Sequence, residues 1–504
     1  MKKLVTGAFV ILSASFALAQ NSDNDVTQTG NNNSATVSQT SLQTFGNENK
    51  TVQTGNNNNV NVSQRSNSAR NKAQSTQDGT LNQATVSQGQ GFSAGGVEVV
   101  QDQTGLANRT TATQQFTYGS KITQNQDGTF NTATSTQGGG DVRSNVLQTQ
   151  NGNLNSATAS QSQLGFTRPT GVYSSANDIN QSQIGSLNGA TASQVGYLND
   201  LDQVQDGYLN SVSSSQTGDG HKVLQDQDGN FNVASAVQTG SRQKSTQNQD
   251  GNLNNASSTQ SGNDNTAQQT QNGNFNRATS LQTGGSSWNT QNQTGNSNIV
   301  SAKQSGGVYN GAMQSQNNRN NNADLEQIGN YNEAGQFQTG LRNIAEGAQT
   351  GDRNSMESDQ NGNDNEAYVT QVDNFNRAEI DQIGNRNYAS ADQGGTASSI
   401  ATRNTIDMFQ RGNDNESIGE QSGGNSNLLV TNQYGNSNIS EGYQMGNSNT
   451  ATINQGSGAL NANSNESYIT QNGNTNAVTV NQMTNGNYHI SNQVGNGNTV
   501  VVNQ

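Results

Sequence analysis

The 504-residue sequence contains no cysteine, one proline and one tryptophan. Without cysteine, disulfides cannot contribute to the stability of the chain. Hydrophobic residues make up 27% and aromatic residues 5% of the sequence, well below the apolar share of an ordinary globular domain. Such a composition indicates disorder unless a repeated geometry lets small polar residues stack on one another.

Charged and catalytic residue types are also scarce. The chain has 22 basic and 36 acidic residues, with a formal net charge of −14. An acidic chain without a basic cluster argues against nucleic acid as a partner. The two histidines, His221 and His489, lie in distant repeats, and the acidic residues are scattered. We therefore expect no enzymatic activity, no cofactor and no bound metal.

A long hydrophobic run occurs at the N-terminus alone. Two lysines precede an apolar segment from Leu4 to about Phe16, and Ala-Leu-Ala ends at Ala19. This is the pattern of a secretory signal peptide, and the run is too short to span a membrane comfortably. The sequence thus predicts a secreted protein with a signal peptide over 1–19 and a repeat region over 20–504.

The repeat is plainest between 327 and 393, where the unit Q-x-G-x-x-N-x-A-x-x-x-Q recurs every 11 residues. Asn332, Ala334 and Gln338 are separated by even numbers of positions, so they share one face of a strand. The residues around Gly329 suit a tight turn. A seven-residue strand and a four-residue turn account for the period. The glutamines of this set are Gln327, Gln338, Gln349, Gln360, Gln371, Gln382 and Gln393.

In the first half of the chain the period is 22, because two strand types alternate. One rung is therefore strand, turn, strand, turn. We count 41 strands between Ser22–Gln28 and Asn498–Gln504, with insertions only between strands. The sole proline, Pro169, lies in the longest insertion, where it interrupts no strand. The pattern predicts an all-β, two-sheet β-solenoid of cross-β type with roughly 20 rungs of about 22 residues.

Stacked rungs place identical side chains above one another. We expect each inward Gln or Asn to bond its side-chain amide to the copies above and below. Apolar residues that directly precede the motif Asn should form a hydrophobic seam along one edge; a ligand groove is the alternative. These residues are Leu81, Phe130, Leu154, Leu187, Leu209, Phe231, Leu253 and Phe275.

The final strand, NTVVVNQ, is uncharged and β-branched. Soluble proteins usually block such an edge, because its unpaired backbone groups can add another strand. We expect Val500, Val502 and Gln504 to form an assembly edge onto which a second copy adds head-to-tail, giving an open homopolymer.

The segment Ser144–Gln161, SNVLQTQNGNLNSATASQ, resembles the curlin repeat of curli major subunits, S-x5-Q-x-G-x2-N-x-A-x3-Q. The likeness extends over nearly the whole repeat region. The matching ladder positions are Ser144, Gln150, Gly152, Asn155, Ala157 and Gln161.

This resemblance implies a subunit that is exported unfolded through an outer-membrane secretion pore. It also implies polymerisation outside the cell into amyloid fibres of the biofilm matrix, which serve adhesion and cell aggregation. A nucleator subunit and periplasmic chaperones are the further partners that it implies.

A second function stays open on the sequence alone. Outward positions of one strand type are rich in hydroxyl groups, as at Thr132, Thr134 and Thr136. A flat hydroxyl array could bind ice or sugar, so the alternative is a monomeric surface-binding solenoid, either an ice-binding protein or an adhesin.

Overall fold

The computed structural model describes residues 22–41, 46–66, 70–90, 96–139, 143–162, 176–395, 399–458 and 461–504. The expected signal peptide over 1–19 and Pro169 lie outside these ranges, so both remain predictions. Within the described ranges, no helix combines the length and the apolar character needed to cross a membrane.

The chain divides into two compact units, Met1–Leu253 (unit 1) and Asn254–Gln504 (unit 2). The described part of unit 1 consists of β-strands joined by short turns. Its strands are β1 Asp23–Thr29, β2 Ser34–Ser41, β3 Glu48–Asn56, β4 Asn59–Ser66, β5 Lys72–Thr80, β6 Gln83–Gln90, β7 Glu98–Leu106, β8 Arg109–Gln115, β9 Lys121–Thr129, β10 Thr132–Gly138, β11 Asn145–Asn153, β12 Ser156–Ser162, β13 Asp178–Ser186, β14 Gly189–Tyr197, β15 Asp200–Tyr208, β16 Ser211–Asp219, β17 Lys222–Asn230, β18 Val233–Ser241 and β19 Lys244–Asn252.

Unit 2 has the same organisation, with one short 3-10 turn at Ile400–Thr402. Its strands are β20 Asn255–Asn263, β21 Thr266–Asn274, β22 Arg277–Gly285, β23 Trp288–Asn296, β24 Ile299–Val308, β25 Gly311–Arg319, β26 Asn322–Ile328, β27 Glu333–Leu341, β28 Ile344–Thr350, β29 Ser355–Asn363, β30 Glu366–Val372, β31 Arg377–Asn385, β32 Tyr388–Gln393, β33 Thr405–Asn413, β34 Glu416–Ser422, β35 Leu428–Tyr434, β36 Ile439–Met445, β37 Thr450–Gln455, β38 Glu466–Asn472, β39 Ala477–Gln482, β40 Tyr488–Val494 and β41 Thr499–Asn503.

Within each unit, every strand pairs in parallel with the strand two positions further along the chain. Odd-numbered strands form one sheet (sheet A), as β9 with β11, and even-numbered strands form the other (sheet B), as β10 with β12. Consecutive strands therefore alternate between the sheets, as in a solenoid. The predicted all-β solenoid of two parallel sheets is confirmed, and its 41 strands in the described residues match the predicted number.

The core of each unit is the thin layer between the two sheets. Strand β11 shows strict alternation, with Val146, Gln148 and Gln150 buried and the residues between them facing outward. Small and medium residues fill the space beside the glutamines, such as Ala157 and Ala159 of β12. The core is narrow because only alternate residues of each strand face inward.

The predicted strand and turn lengths are wrong in many rungs. Strand β11 runs from Asn145 to Asn153, nine residues, and only Leu154 and Asn155 separate it from β12. The ladder of backbone pairing continues through Gly152, which pairs with Gly185 of the next rung. Glycine with a positive φ lets the chain turn while it stays paired in the sheet. The predicted four-residue turn did not include this continued pairing.

Candidate functional site

The inward glutamines form continuous side-chain ladders. In sheet A of unit 1, Gln150 Nε2 donates to Gln183 Oε1 at 2.8 Å. In sheet B, Gln161 Nε2 donates to Gln194 Oε1 at 2.9 Å. All four residues are buried. Each bond joins neighbouring rungs. The side chains therefore pair in the same register as the backbone, inside the core between the two sheets.

The glutamines spaced by 11 in unit 2 divide between two ladders. Residues 22 apart are bonded, because the intervening glutamine belongs to the other sheet. In sheet B the bonds run from Gln327 to Gln349, Gln349 to Gln371 and Gln371 to Gln393, at 2.8–2.9 Å. In sheet A they run from Gln338 to Gln360 and Gln360 to Gln382, at 2.9 and 2.8 Å.

Most ladder glutamines also reach across the core. Gln338 Nε2 donates to the backbone carbonyl of Asn322 at 2.9 Å, and Asn322 belongs to the facing strand β26. Gln150 makes the same bond to Thr132 of β10 at 3.0 Å. The two amide hydrogens of one side chain thus tie a rung both to its neighbour and to the opposite sheet. The repeat pattern alone gave no sign of this second bond.

The motif asparagines play a different part from the one expected. Asn332 accepts a hydrogen bond at Oδ1 from the backbone N–H of Asn354 at 3.0 Å and donates from Nδ2 to Gly351 O at 2.8 Å. Asn155 bonds Asn188 N and Gly185 O in the same way. The expected ladder of side chain to side chain is therefore corrected: most motif asparagines bind the backbone of the next turn. Asn suits this position because it can accept and donate at once.

Ser144 occupies the position of the motif Asn before its strand and accepts the same backbone hydrogen bond. Its Oγ accepts from the backbone N–H of Asn177 at 3.0 Å, and Ser144 N in turn donates to Ser120 Oγ at 3.2 Å. The alanines of the motif, Ala157 and Ala334, are buried between the sheets. The alanine position holds a larger side chain in some rungs, since Ala334 is in register with the buried Met356.

The motif glycines are required by close approach of the backbone. Gly152 has φ +128°, and a Cβ there would lie 1.8 Å from Gly185 O. At Gly329, with φ +114°, a Cβ would lie 2.0 Å from Gly351 O. Any other residue would collide with the next rung, in a backbone region that L-residues rarely adopt.

The predicted apolar seam lies on the surface. Its members have φ between 55° and 62°, as at Leu154 and Leu187. The conformation has a structural reason, because it directs Leu154 N–H to Thr129 O of the preceding rung at 2.9 Å. The side chains remain between 36% and 59% exposed. They form an exposed apolar row, and Phe231 of this row makes an edge-to-face contact with Tyr208 at 5.7 Å.

The histidines take up repeat positions. His221 is buried in the place of a motif Asn, where its Nε2 lies 3.1 Å from Thr217 O and its Nδ1 accepts from Gln243 N at 3.3 Å. Burial lowers the pKa of His221 and of His489 from the usual value. Among the described residues, no three His, Cys, Asp or Glu side chains converge as a metal site would require.

The predicted assembly edge lies on β41. This strand pairs with β39 and with no other described strand. Val500 and Val502 are partly buried against the core of unit 2, and Gln504 Oε1 accepts from Gln482 Nε2 at 3.1 Å. The side chains of all three residues thus continue the core and its ladder to the last strand.

The backbone N–H and C=O groups of β41 face either β39 or the open edge. Gln504 N donates to Asn481 O at 2.8 Å, so Gln504 directs its polar groups toward β39. Alternate residues of a strand point their polar groups to opposite edges. Val501 and Asn503 therefore direct theirs toward the open edge, a distinction that the sequence pattern did not make.

Two further ladders on the surface of unit 2 escaped the sequence analysis. Arg353 lies 5.3 Å from the ring centroids of both Tyr331 and Phe375, and Tyr331 stacks on Tyr309 at 5.1 Å. The second ladder contains bidentate ion pairs from Arg342 to Asp364 and from Arg386 to Asp414, with shortest distances of 2.6 Å. The 22-residue spacing was the signal that could have revealed all of these contacts except Arg386–Asp414, whose residues are 28 apart.

A scan against models of known protein families finds no match to the chain, and a search of curated proteins finds no relative.

Proposed function

We propose that the chain is a secreted structural subunit that assembles head-to-tail into extracellular amyloid fibres. A two-sheet β-solenoid with polar ladders is compatible with a structural or surface-binding repeat protein. The proposed fibres resemble curli, belong to the biofilm matrix at the cell surface, and serve adhesion and cell aggregation.

The observation that carries the proposal is the open edge of β41. Val501 and Asn503 present backbone groups to that edge, while Val500, Val502 and Gln504 continue the core beneath it. At the other end, β1 pairs with β3 and with no other described strand. An unpaired parallel strand over an open core is a template for another strand of the same kind.

The resemblance of Ser144–Gln161 to the curlin repeat supplies the rest of the proposal. We propose a nucleator subunit, an outer-membrane secretion pore and periplasmic chaperones as partners, and no nucleic acid. We also propose that the chain catalyses no reaction. The place of His221 in the turn hydrogen bonding supports this, because Nε2 lies 3.1 Å from the backbone carbonyl of Thr217 in its own turn and Nδ1 accepts from Gln243 N in the next turn.

The proposal is tested by following purified mature chain in solution. Filaments that bind thioflavin and diffract at about 4.7 and 10 Å are the expected result. Val501→Pro removes an N–H that points to the open edge, so elongation should slow strongly. Val501→Ala serves as the control, because it removes the same exposed valine side chain but keeps the N–H. Equal elongation of Val501→Pro and wild type would contradict the proposed edge.

The surface-binding alternative has one observation in its favour. Thr134 of β10 is in register with Thr111 of β8 and Thr158 of β12, so outward hydroxyls form a column across the strands. A chain that stays a folded monomer at high concentration and inhibits ice growth would favour this alternative over the fibre.

A further inference from the structure

The outer surface of sheet B in unit 1 carries two unbroken columns of hydroxyl groups, which we call the hydroxyl face. They extend over the six strands β6, β8, β10, β12, β14 and β16. The first column is Thr85, Thr111, Thr134, Thr158, Thr191 and Ser213, and the second is Ser87, Thr113, Thr136, Ser160, Ser193 and Ser215.

The hydroxyl face is nearly free of charge. In its six strands the charged residues are Arg109 and Asp219, each at one end of its strand. Sheet A of the same unit is different, because salt bridges join Lys121 to Glu98 and Lys222 to Asp200 on its outer surface.

The corresponding outer surface of sheet B in unit 2 is acidic. There Tyr368 bonds Glu366 and Tyr468 bonds Glu466 through their hydroxyl groups. The outer surface of sheet B is thus neutral over these strands of unit 1 and acidic in unit 2, although both units contain the same kind of buried glutamine ladder.

A neutral face on an acidic chain is where two copies approach with the least repulsion. The formal net charge is −14, so most surfaces of one copy repel those of another. Ser and Thr hydroxyls both donate and accept hydrogen bonds, so a face made of them is complementary to itself. Their small size also lets two sheets come close, as in the dry interfaces of cross-β assemblies.

We propose that the hydroxyl face packs against the hydroxyl face of a second copy and so holds neighbouring filaments side by side. The inference rests on the proposed assembly into filaments. A second copy fits because its strands have the same spacing of about 4.8 Å, so every rung meets a rung along the whole contact. A polymer of another kind, such as a neutral polysaccharide, has no built-in match to that spacing.

The size of the face determines when the contact forms. Six strands and five residues along each strand cover roughly 500 Å² per copy at ordinary strand spacings. Stable complexes bury about 800 Å² per partner, so two single copies should not pair. A filament repeats the face once per subunit, and many weak contacts in parallel then hold two filaments together. Bundling should therefore follow elongation rather than precede it.

The test places carboxylates on the hydroxyl face and, as a matched control, on the outer surface of sheet A. The variant is Thr136→Glu with Thr158→Glu, on the adjacent strands β10 and β12. The control is Thr123→Glu with Thr149→Glu, on the adjacent strands β9 and β11. Both pairs exchange two outward threonines, so both lose the same β-propensity and gain the same charge.

Electron microscopy then gives the number and the width of the filaments separately. We expect the variant to elongate like the control while its bundled fraction falls about tenfold, because like charges meet across the contact. Added salt should restore bundling of the variant, since exposed charges are screened. A variant that bundles as much as the control, or wild-type filaments that stay single, would overturn the inference.

Two other outcomes are also decisive. Wild-type filaments that stay single but sediment with dextran, where the variant does not, would overturn the inference in favour of a sugar ligand. A chain that forms no filaments at all would refute the proposed function as well, so the two failures are distinguishable.

Discussion

Gln338 donates a hydrogen bond from Nε2 to Oε1 of Gln360 at 2.9 Å, although 22 positions separate the two residues in the sequence. Both are buried, and Gln338 in turn accepts from Gln316 Nε2 at 2.8 Å. The stability of each rung thus depends on partners in the rungs on either side, which is the energetic basis of a repeat structure.

Replacing Gln338 by methionine should destabilise unit 2. The substitution keeps the length of the side chain but leaves the amide of Gln316 and the carbonyl of Gln360 without their ladder partner. Each buried unsatisfied group costs about 1–3 kcal/mol. Denaturant unfolding of the purified chain measures the loss. Thr339→Ala, at the exposed neighbouring position, should change stability by less than about 0.5 kcal/mol; equal effects would contradict the ladder's contribution.

Gly340→Ala should prevent the correct stacking of its rung. Gly340 has φ +123°, and a Cβ there would lie 1.8 Å from Gly362 O, a backbone atom that cannot move aside cheaply. We expect a loss of at least about 2 kcal/mol, from strain and collision together. Gly189→Ala is the control, since a Cβ there meets no atom within 4 Å. Thermal unfolding of both variants by circular dichroism compares them; a Gly340→Ala chain as stable as Gly189→Ala would count against the close approach.

Acidification should stabilise unit 2 between about pH 6 and pH 4. Burial, aided by Glu379, Asp359, Asp407 and Glu357, raises the pKa of Asp381 to about 6. The folded state therefore binds the proton more tightly than the unfolded chain does. The gain is complete below the unfolded pKa and is lost as pH rises through 6. Because Asp381 is half exposed, screening by water limits the effect to roughly 1 kcal/mol.

Denaturant midpoints measured across this pH range test the sign. Asp381→Asn should be more stable than wild type at pH 7 and should flatten the profile. Asp392→Asn, which removes an exposed carboxylate of β32, should leave the dependence of stability on pH the same as in the wild type. A chain whose stability falls steadily from pH 6 to pH 4 would show that the carboxylates near Asp381 favour the charged form.

Arg353→Gln should weaken the aromatic ladder on the surface of unit 2. The guanidinium lies over the rings of Tyr331 and Phe375, and an exposed cation–π contact contributes about 0.5–1 kcal/mol. We expect a loss of that size per ring in urea unfolding. Arg277→Gln, at an exposed position on β22, removes a charge from an outward strand position and should have a smaller effect.

The sequence was sufficient for those features that recur in every rung. The period of 22 predicts the number of strands, and the spacing of Asn332, Ala334 and Gln338 predicts which residues face inward. It could not predict that Leu154 adopts a positive φ, because leucine has no preference for that region. The preceding rung favours this conformation through the bond from Leu154 N to Thr129 O.

The asparagine bonds to the backbone, and the identity of the β41 residues that present open backbone groups, were missed for a similar reason. A period shows that Asn155 stacks on its copies, but not that its side chain bonds the backbone of the next turn. Likewise, the pattern of NTVVVNQ shows that Val500 and Val502 share a face. Which residues leave their N–H groups unpaired depends on the pairing of β41 with β39, which is a long-range property of the fold.

The glutamine ladders have a direction. In unit 1, Gln28 donates to Gln53, and in unit 2, Gln482 donates to Gln504, so the amide dipoles all point the same way along the chain. Aligned hydrogen bonds polarise one another, so each row of amides has a net dipole along its length. Among the described residues, the ladder of unit 1 begins at Gln28 with an acceptor, Oε1, and the ladder of unit 2 ends at Gln504 with a donor, Nε2. Two copies that meet by like ends would set donor against donor or acceptor against acceptor. Two copies that meet by unlike ends would continue the row of hydrogen bonds. In a fibre of the kind proposed above, the ladders would therefore give the interior a polarity, and the two ends would differ in the amide group that they offer.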